Sequence, residues 1–223
     1  MSVKLFVQAI SKISLGIILV ALLIFLPAGT LHFKNGWLLM GILFIPMFIA
    51  GIVMMIKNPM LLQNRLKAKE NQTEQSLVIK LSGLMFILGF VVAGLDFRYK
   101  WTVLPEWISW TATALFLLSY LMYAEVLREN AYLSRIIEVQ EGQQVIDTGL
   151  YGIVRHPMYS ATLILFMSMP IILGSLIAFV VFLAYPFIIS KRIRNEEKVL
   201  EEGLPGYIEY KNKVRFKLIP YIW

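Results

Sequence analysis

The sequence predicts an all-α, polytopic transmembrane helix bundle, and two observations carry that expectation. Of the 223 residues, 58% are hydrophobic and only 16% are charged, with a mean hydropathy of +0.71. A soluble domain of this size carries about 25% charge. Apolar runs of the length that crosses a bilayer, roughly 20 residues, also recur along the whole chain. A single membrane-embedded domain over 1–223 follows, in two parts: N-terminal spans over 1–127, with an interfacial loop at 57–76, and a C-terminal half over 128–223.

The elements can be taken in order. The first span covers about Ile13–Leu31, after Lys4 and Lys12, and resembles a signal peptide. No small-residue cleavage site follows it and further spans do, so it is read as a retained helix. A short turn containing Asn35-Gly36 leads to the second span, about Trp37–Ile56. In the loop that follows, NPMLLQNRLK, Asn58 suits an N-cap and Pro59 a first helical position. Met60, Leu61, Leu62 and Leu66 would then lie in the interface, with Arg65 and Lys67 toward headgroups. The third span is about Leu77–Leu95 and the fourth about Trp107–Leu127. Trp101, Trp107 and Trp110 suggest an aromatic belt. Met158–Ile189 is too long for one span, and its Pro170 and Gly174-Ser175 mark a hairpin turn. It divides into helices over about Met158–Leu173 and Ser175–Arg194. The count is six, or five if the short first arm of the hairpin does not cross. Gly203, Pro205 and Gly206 end the last helix, and a short amphipathic helix covers Tyr207 to Val214.

Basic residues set the orientation. Lys57, Arg65, Lys67 and Lys69 lie in one loop, Arg128, Arg135 and Arg155 in another, and eight lysines and arginines between Lys191 and Lys217. The intervening turns have few. All the rich segments share a side if both termini are cytoplasmic, which makes this a multi-pass protein with its polar segments in the cytosol. The net charge of +7 is accounted for in this way, and no nucleic-acid partner is expected. The absence of cysteine excludes disulfides and thiolate chemistry, and two distant histidines, His32 and His156, make no metal site.

Ionisable and aromatic residues concentrate in two segments, GLYGIVRHPMY at 149–159 and KRIRNEEKVLEE at 191–202. A hairpin between them brings both to one membrane face. Arg192 and Glu196 are four residues apart and share a helix face; Glu197 lies one residue round. Each could equally be a solvated helix end. Pro157 keeps His156 out of the helical region and opens a helix whose first turn presents free N–H groups beside Arg155 and His156. A helix N-terminus with a satisfied histidine would look the same.

Taken together, VQEGQQVIDTGLYGIVRHPMYS at 139–160, RIRNEE at 192–197, GYIEYKNKV at 206–214 and LIP at 218–220 resemble the isoprenylcysteine carboxyl methyltransferase family, and more distantly the phospholipid methyltransferases. The resemblance covers about the last hundred residues, and NPMLLQNRLK also looks like bacterial members. It implies an integral membrane enzyme that uses S-adenosylmethionine in a cytosol-facing pocket formed by the C-terminal hairpin, the segment before it and the tail. No strand followed by a Gly-rich phosphate loop is present, which agrees. Carried over by motif, Gln140, Gln143, Gln144, Val145, Ile146, Tyr151, Arg155, His156, Pro157, Met158 and Glu196 would bind the cofactor. Arg192 would be catalytic, holding the substrate carboxylate, while Tyr159, Glu197, Tyr207 and Tyr210 would help line or close the pocket. The stretch from Gln140 to Tyr151 is shorter than in the eukaryotic enzymes, which bears on the match at Gln140.

The chemistry fits these roles. A carboxylate such as Glu196 suits the cofactor's positive groups, and an arginine holds a carboxylate bidentately. A carboxylate acceptor is ionised at pH 7 and needs no base, so alignment is the protein's main task. The expected substrate is a lipophilic, isoprenylcysteine-like carboxylate whose tail enters from the membrane lipids. Two alternatives stand beside it. A lipid-amine N-methyltransferase would need a base such as Glu197 or His156. A non-enzymatic membrane scaffold would need neither.

Overall fold

In the computed structural model, which describes residues 3–66, 73–134 and 136–223, every regular element is helical. Lys67, Lys69 and Arg135, used above for orientation, lie outside the described residues. Long helices are α1 (Val3–Ala28), α2 (Lys34–Lys57), α4 (Thr73–Tyr99) and α5 (Glu106–Glu129), with the short α3 (Pro59–Leu66) between α2 and α4. After a loop and a 3-10 turn (Gly149–Gly152) come α6 (Pro157–Ile172), α7 (Leu176–Phe182), α8 (Tyr185–Gly203) and α9 (Tyr207–Lys213). Five stretches are long and apolar enough to cross a membrane, α7 and α8 counting as one, and α6 is a shorter apolar helix.

Several boundaries differ from the sequence reading for identifiable reasons. The turn after α1 is made by Gly29, whose φ of +69° suits glycine. Asn35-Gly36 therefore falls inside α2, where Gly36 lies close to Ile24 and Phe25. The last span is two helical segments because Pro186 has no N–H to continue the ladder. Leu183 N–H still reaches Phe179 O at 3.0 Å, and the chain resumes with Ile188 N–H on Ala184 O. In α3, the Asn58 side chain caps Leu61 N–H at 3.1 Å. Leu61 and Leu62 are buried, however, and Arg65 turns inward to Tyr123 OH and Met158 Sδ rather than out to headgroups.

The core is shared by α1, α2 and α4 to α8, with Phe86, Phe90, Phe166 and Phe182 packed together within it. Phe86 meets Phe166 and Phe182 edge-on at 4.8 and 5.4 Å. At one end of the bundle, buried Asp96 accepts from Thr102 N–H and O–H at 2.6 and 2.8 Å and from Ser175 Oγ at 2.5 Å. This fixes the hairpin turn against α4. Ser175 Oγ also accepts Ala178 N–H, capping α7. The exposed Trp101, Trp107 and Trp110 lie near this end. The polar loop, α3, α9 and the end of α8 gather at the other.

Helix α4 lies against α1 at Gly94, where a Cβ would meet the Ile24 carbonyl oxygen at 2.5 Å. Gly94→Ala must push the two backbones apart. Overpacking of this kind costs about 1–3 kcal/mol, so the variant should unfold at a lower temperature in detergent. A thermal melt followed by tryptophan fluorescence measures it.

Candidate active site

The hairpin and the tail are joined by one buried carboxylate. Glu197, on α8, accepts from Arg155 Nε at 2.8 Å, lies 3.3 Å from His156 Nε2 and pairs with Lys217 Nζ at 2.7 Å. Arg155 uses its Nη1 for Val214 O and Arg215 O, at 2.7 and 2.8 Å. The backbone follows: Arg155 and His156 N–H donate to Phe216 O and Lys217 O, each at 2.9 Å. Ser160 Oγ adds a bond to Leu218 O at 2.6 Å. The tail is thus laced across the N-terminus of α6, where His156 precedes Pro157 at the start of the helix.

Beside this joint lies a solvent-open cavity. One wall is α8, through Arg192, Glu196 and Leu200, continued by Leu204. A second is the start of α6, with His156, Pro157, Met158 and Tyr159. A third is the loop, with Gln143, Gln144, Val145 and Ile146, and α9 contributes Tyr207 and Tyr210. Tyr159 OH connects the charged groups: it accepts from Arg192 Nε at 2.8 Å and donates to Glu196 Oε2 at 2.5 Å. Arg192 Nη1 also reaches Gln75 Oε1 on α4 at 3.2 Å.

The loop owes its shape to side chains bonding the backbone, since it lacks a helix or sheet ladder. Asn130 Oδ1 accepts Tyr132 N–H, and its Nδ2 reaches Tyr151 OH, both at 2.9 Å. Gln143 Oε1 accepts Gln140 N–H at 2.9 Å. Gln140 also donates to Tyr132 O and accepts from Asn64 Nδ2 of α3 at 3.1 Å. Gly149 sits with φ +52° directly over Glu129, whose carboxylate a Cβ would overlap and which accepts Leu150 N–H at 3.2 Å.

Most of the residues singled out from sequence converge on this cavity. Gln140 and Glu197 are the exceptions. Gln140 ties the loop to α3 from behind, and Glu197 stands behind Arg155 and His156. Residues not foreseen also line it, among them Asn130, Tyr132, Ile136, Ile137 and Leu200. Asn130 had a readable signal, a short amide directly after the last turn of α5. The isoleucines, in a polar-flanked loop, had none. Tyr151, Tyr207 and Tyr210 are driven above the ordinary tyrosine pKa by burial. They stay protonated at neutral pH. Tyr210 OH donates to Tyr151 O at 2.8 Å, whereas the Tyr207 hydroxyl, equally buried, has no partner among the described residues.

Residues 110–202, from α5 to the end of α8, match the family model described as Isoprenylcysteine carboxyl methyltransferase (ICMT) family. The chain carries an ICMT family domain. The domain supports a methyltransferase in general, and the five candidate spans among the described residues support an integral membrane protein. It is also similar to Delta(14)-sterol reductase TM7SF2 of Mus musculus, 29% identical over 90 residues. The match takes in 39% of this chain and 22% of the reductase, so the chain spans only a small part of that protein's length.

Removing Glu197 would leave the Arg155 guanidinium buried among carbonyls with no counter-charge. Breaking one side of a buried pair costs about 3–5 kcal/mol. Glu197→Ala should therefore lower the melting temperature steeply, and Glu197→Gln, which keeps an acceptor oxygen, by less. Parallel thermal melts of the two variants give the comparison.

Proposed function

We propose that the chain is an S-adenosylmethionine-dependent methyltransferase that esterifies the carboxylate of a lipophilic, isoprenylcysteine-like substrate. The observation that carries this reading is the Arg192–Tyr159–Glu196 relay on the cavity wall. It sets a cation for an anionic acceptor one helical turn from an anion for a cationic donor. The cavity opens to solvent beside this relay. Its lining also fits the donor: apolar Val145, Ile146 and Leu204 for an adenosyl ring, Glu196 for positive charge, and the unpartnered Tyr207 hydroxyl for a polar atom. When bound, S-adenosylmethionine supplies a methyl on cationic sulfur; a carboxylate oxygen takes it as the sulfur–carbon electrons return to sulfur, and no proton moves.

The residues then divide their tasks. Glu196, held by Tyr159, orients the donor's charged end. Arg192 positions the acceptor carboxylate, and alignment of this kind can contribute several kcal/mol. The gain depends on positioning, because a cation also stabilises the ground-state carboxylate. Among the candidate bases, Glu197 is taken up by Arg155, His156 and Lys217, which favours an acceptor that needs no deprotonation over a lipid amine. The family domain supports a methyl-transferring activity and the spans support a membrane setting. The reductase match concerns a protein whose name specifies a sterol, another lipophilic substrate. With both termini cytoplasmic, as the basic residues favour, the donor enters from the cytosol and the acceptor's tail from the bilayer.

Calorimetry with S-adenosylmethionine and a radiolabelled methyl-transfer assay test this. Glu196→Ala should abolish saturable donor binding. Arg192→Ala should keep it and lose turnover by about a hundredfold, the scale of a misaligned reactant. Full activity in both variants would refute the assignment.

A further inference from the structure

Gln75 lies in the first turn of α4, outside the stretch that matches the family model. Its side chain is completely buried. The carboxamide is used on one side only: Oε1 accepts from Arg192 Nη1 at 3.2 Å, while Nε2 has no hydrogen-bond partner among the described residues. A carboxamide nitrogen offers two donors, and a buried donor left unsatisfied costs about 1–3 kcal/mol. Holding Arg192 needs the oxygen alone. A glutamate would do that better, adding charge to the bond. The residue present is its neutral isostere, which orients the arginine without adding a negative charge beside it and leaves two N–H groups next to the guanidinium.

The two edges of Arg192 also face different ways. Nε points to Tyr159, and through it to Glu196 on the donor side; Nη1 points to α4. An anion bound on the α4 side would stand across the arginine from Glu196. We infer that Gln75 is an acceptor-binding residue: its Nε2 and the Arg192 guanidinium together hold the oxygens of the substrate carboxylate at the junction of α4 and α8. The inference rests on the carboxylate-methylation reading above. It gives the N-terminal spans a direct part in recognising the acceptor's reacting group.

The decisive variant is Gln75→Glu, which preserves shape and the acceptor for Arg192 while replacing the free donors with negative charge; Gln75→Leu is its companion. The probe is N-acetyl-S-farnesyl-L-cysteine with purified full-length protein, and the methyl ester of the same compound, which has no carboxylate, serves as a competitive inhibitor. Gln75→Glu should raise KM for the acid at least about tenfold, the scale of a lost charge-assisted hydrogen bond. The inhibition constant of the ester, the donor Kd and the melting temperature should not move. An unchanged KM for the acid in Gln75→Glu overturns the inference and leaves the proposed function standing. Equal weakening of acid and ester, or a parallel fall in melting temperature, reduces Gln75 to a structural role and also overturns it. A wild type that binds the donor and methylates no carboxylate overturns both.

Discussion

The polar end of this bundle depends on the buried contact between Glu197 and Arg155. A carboxylate and a guanidinium withdrawn from water need every remaining hydrogen-bonding position filled, or desolvation outweighs their attraction. Here the positions are filled from three separated segments. Glu197 comes from α8, Arg155 and His156 from the lead into α6, and Lys217 with the carbonyls of Val214 and Arg215 from the tail. The pair is therefore less a source of net stability than a specification of register. It decides which turn of α8 faces the start of α6, and Glu196, one residue along, inherits its position at the cavity from that choice.

The catalytic-looking groups sit one layer in front of the groups that hold the fold. Along α8, Glu197 and Ile193 face inward and are buried, while Arg192 and Glu196 turn toward the cavity. On α6, Pro157 and Ser160 are packed against the body and tail, and Tyr159 joins the two charged residues of α8. Adjacent residues of one motif thus divide between holding the joint and facing the ligand space, as a helical repeat of 3.6 residues requires.

The helical architecture was legible because the signal was large: long apolar runs can cross a bilayer only as helices or closed barrels. The hairpin could also be read, from Pro170 and the Gly174-Ser175 turn. What misled were turn residues whose local preference was overridden by packing, as at Asn35-Gly36, where Gly36 serves close approach to Phe25. For the site, clustered charges and a family resemblance were enough to point at the segments that line the cavity. Charge clustering alone could not separate Glu196 from Glu197, which differ only in the side of α8 they occupy; the resemblance set Glu196 apart as the cofactor ligand but also gave Glu197 a place in the pocket, whereas it stands behind Arg155 and His156. Both signals missed what the N-terminal half contributes. Asn64, Arg65 and Gln75 are ordinary polar residues near span ends until the fold brings them to Gln140, Tyr123 and Arg192.

The loop between α5 and the 3-10 turn forms a wall of the cavity without a helix or strand of its own. Its shape rests on a few amide and hydroxyl side chains, whereas the facing wall is a helix embedded in the bundle. Stability is therefore unevenly distributed around one binding space. The loop residues are mostly half-buried or exposed, and segments with few buried contacts open at less than the free energy of global unfolding. A ligand of this cavity would find its least costly entrance on the loop side, away from the lipid-facing helices. Amide exchange along 136–148 should be fast where the hairpin behind it is slow, a contrast set by which wall each residue belongs to.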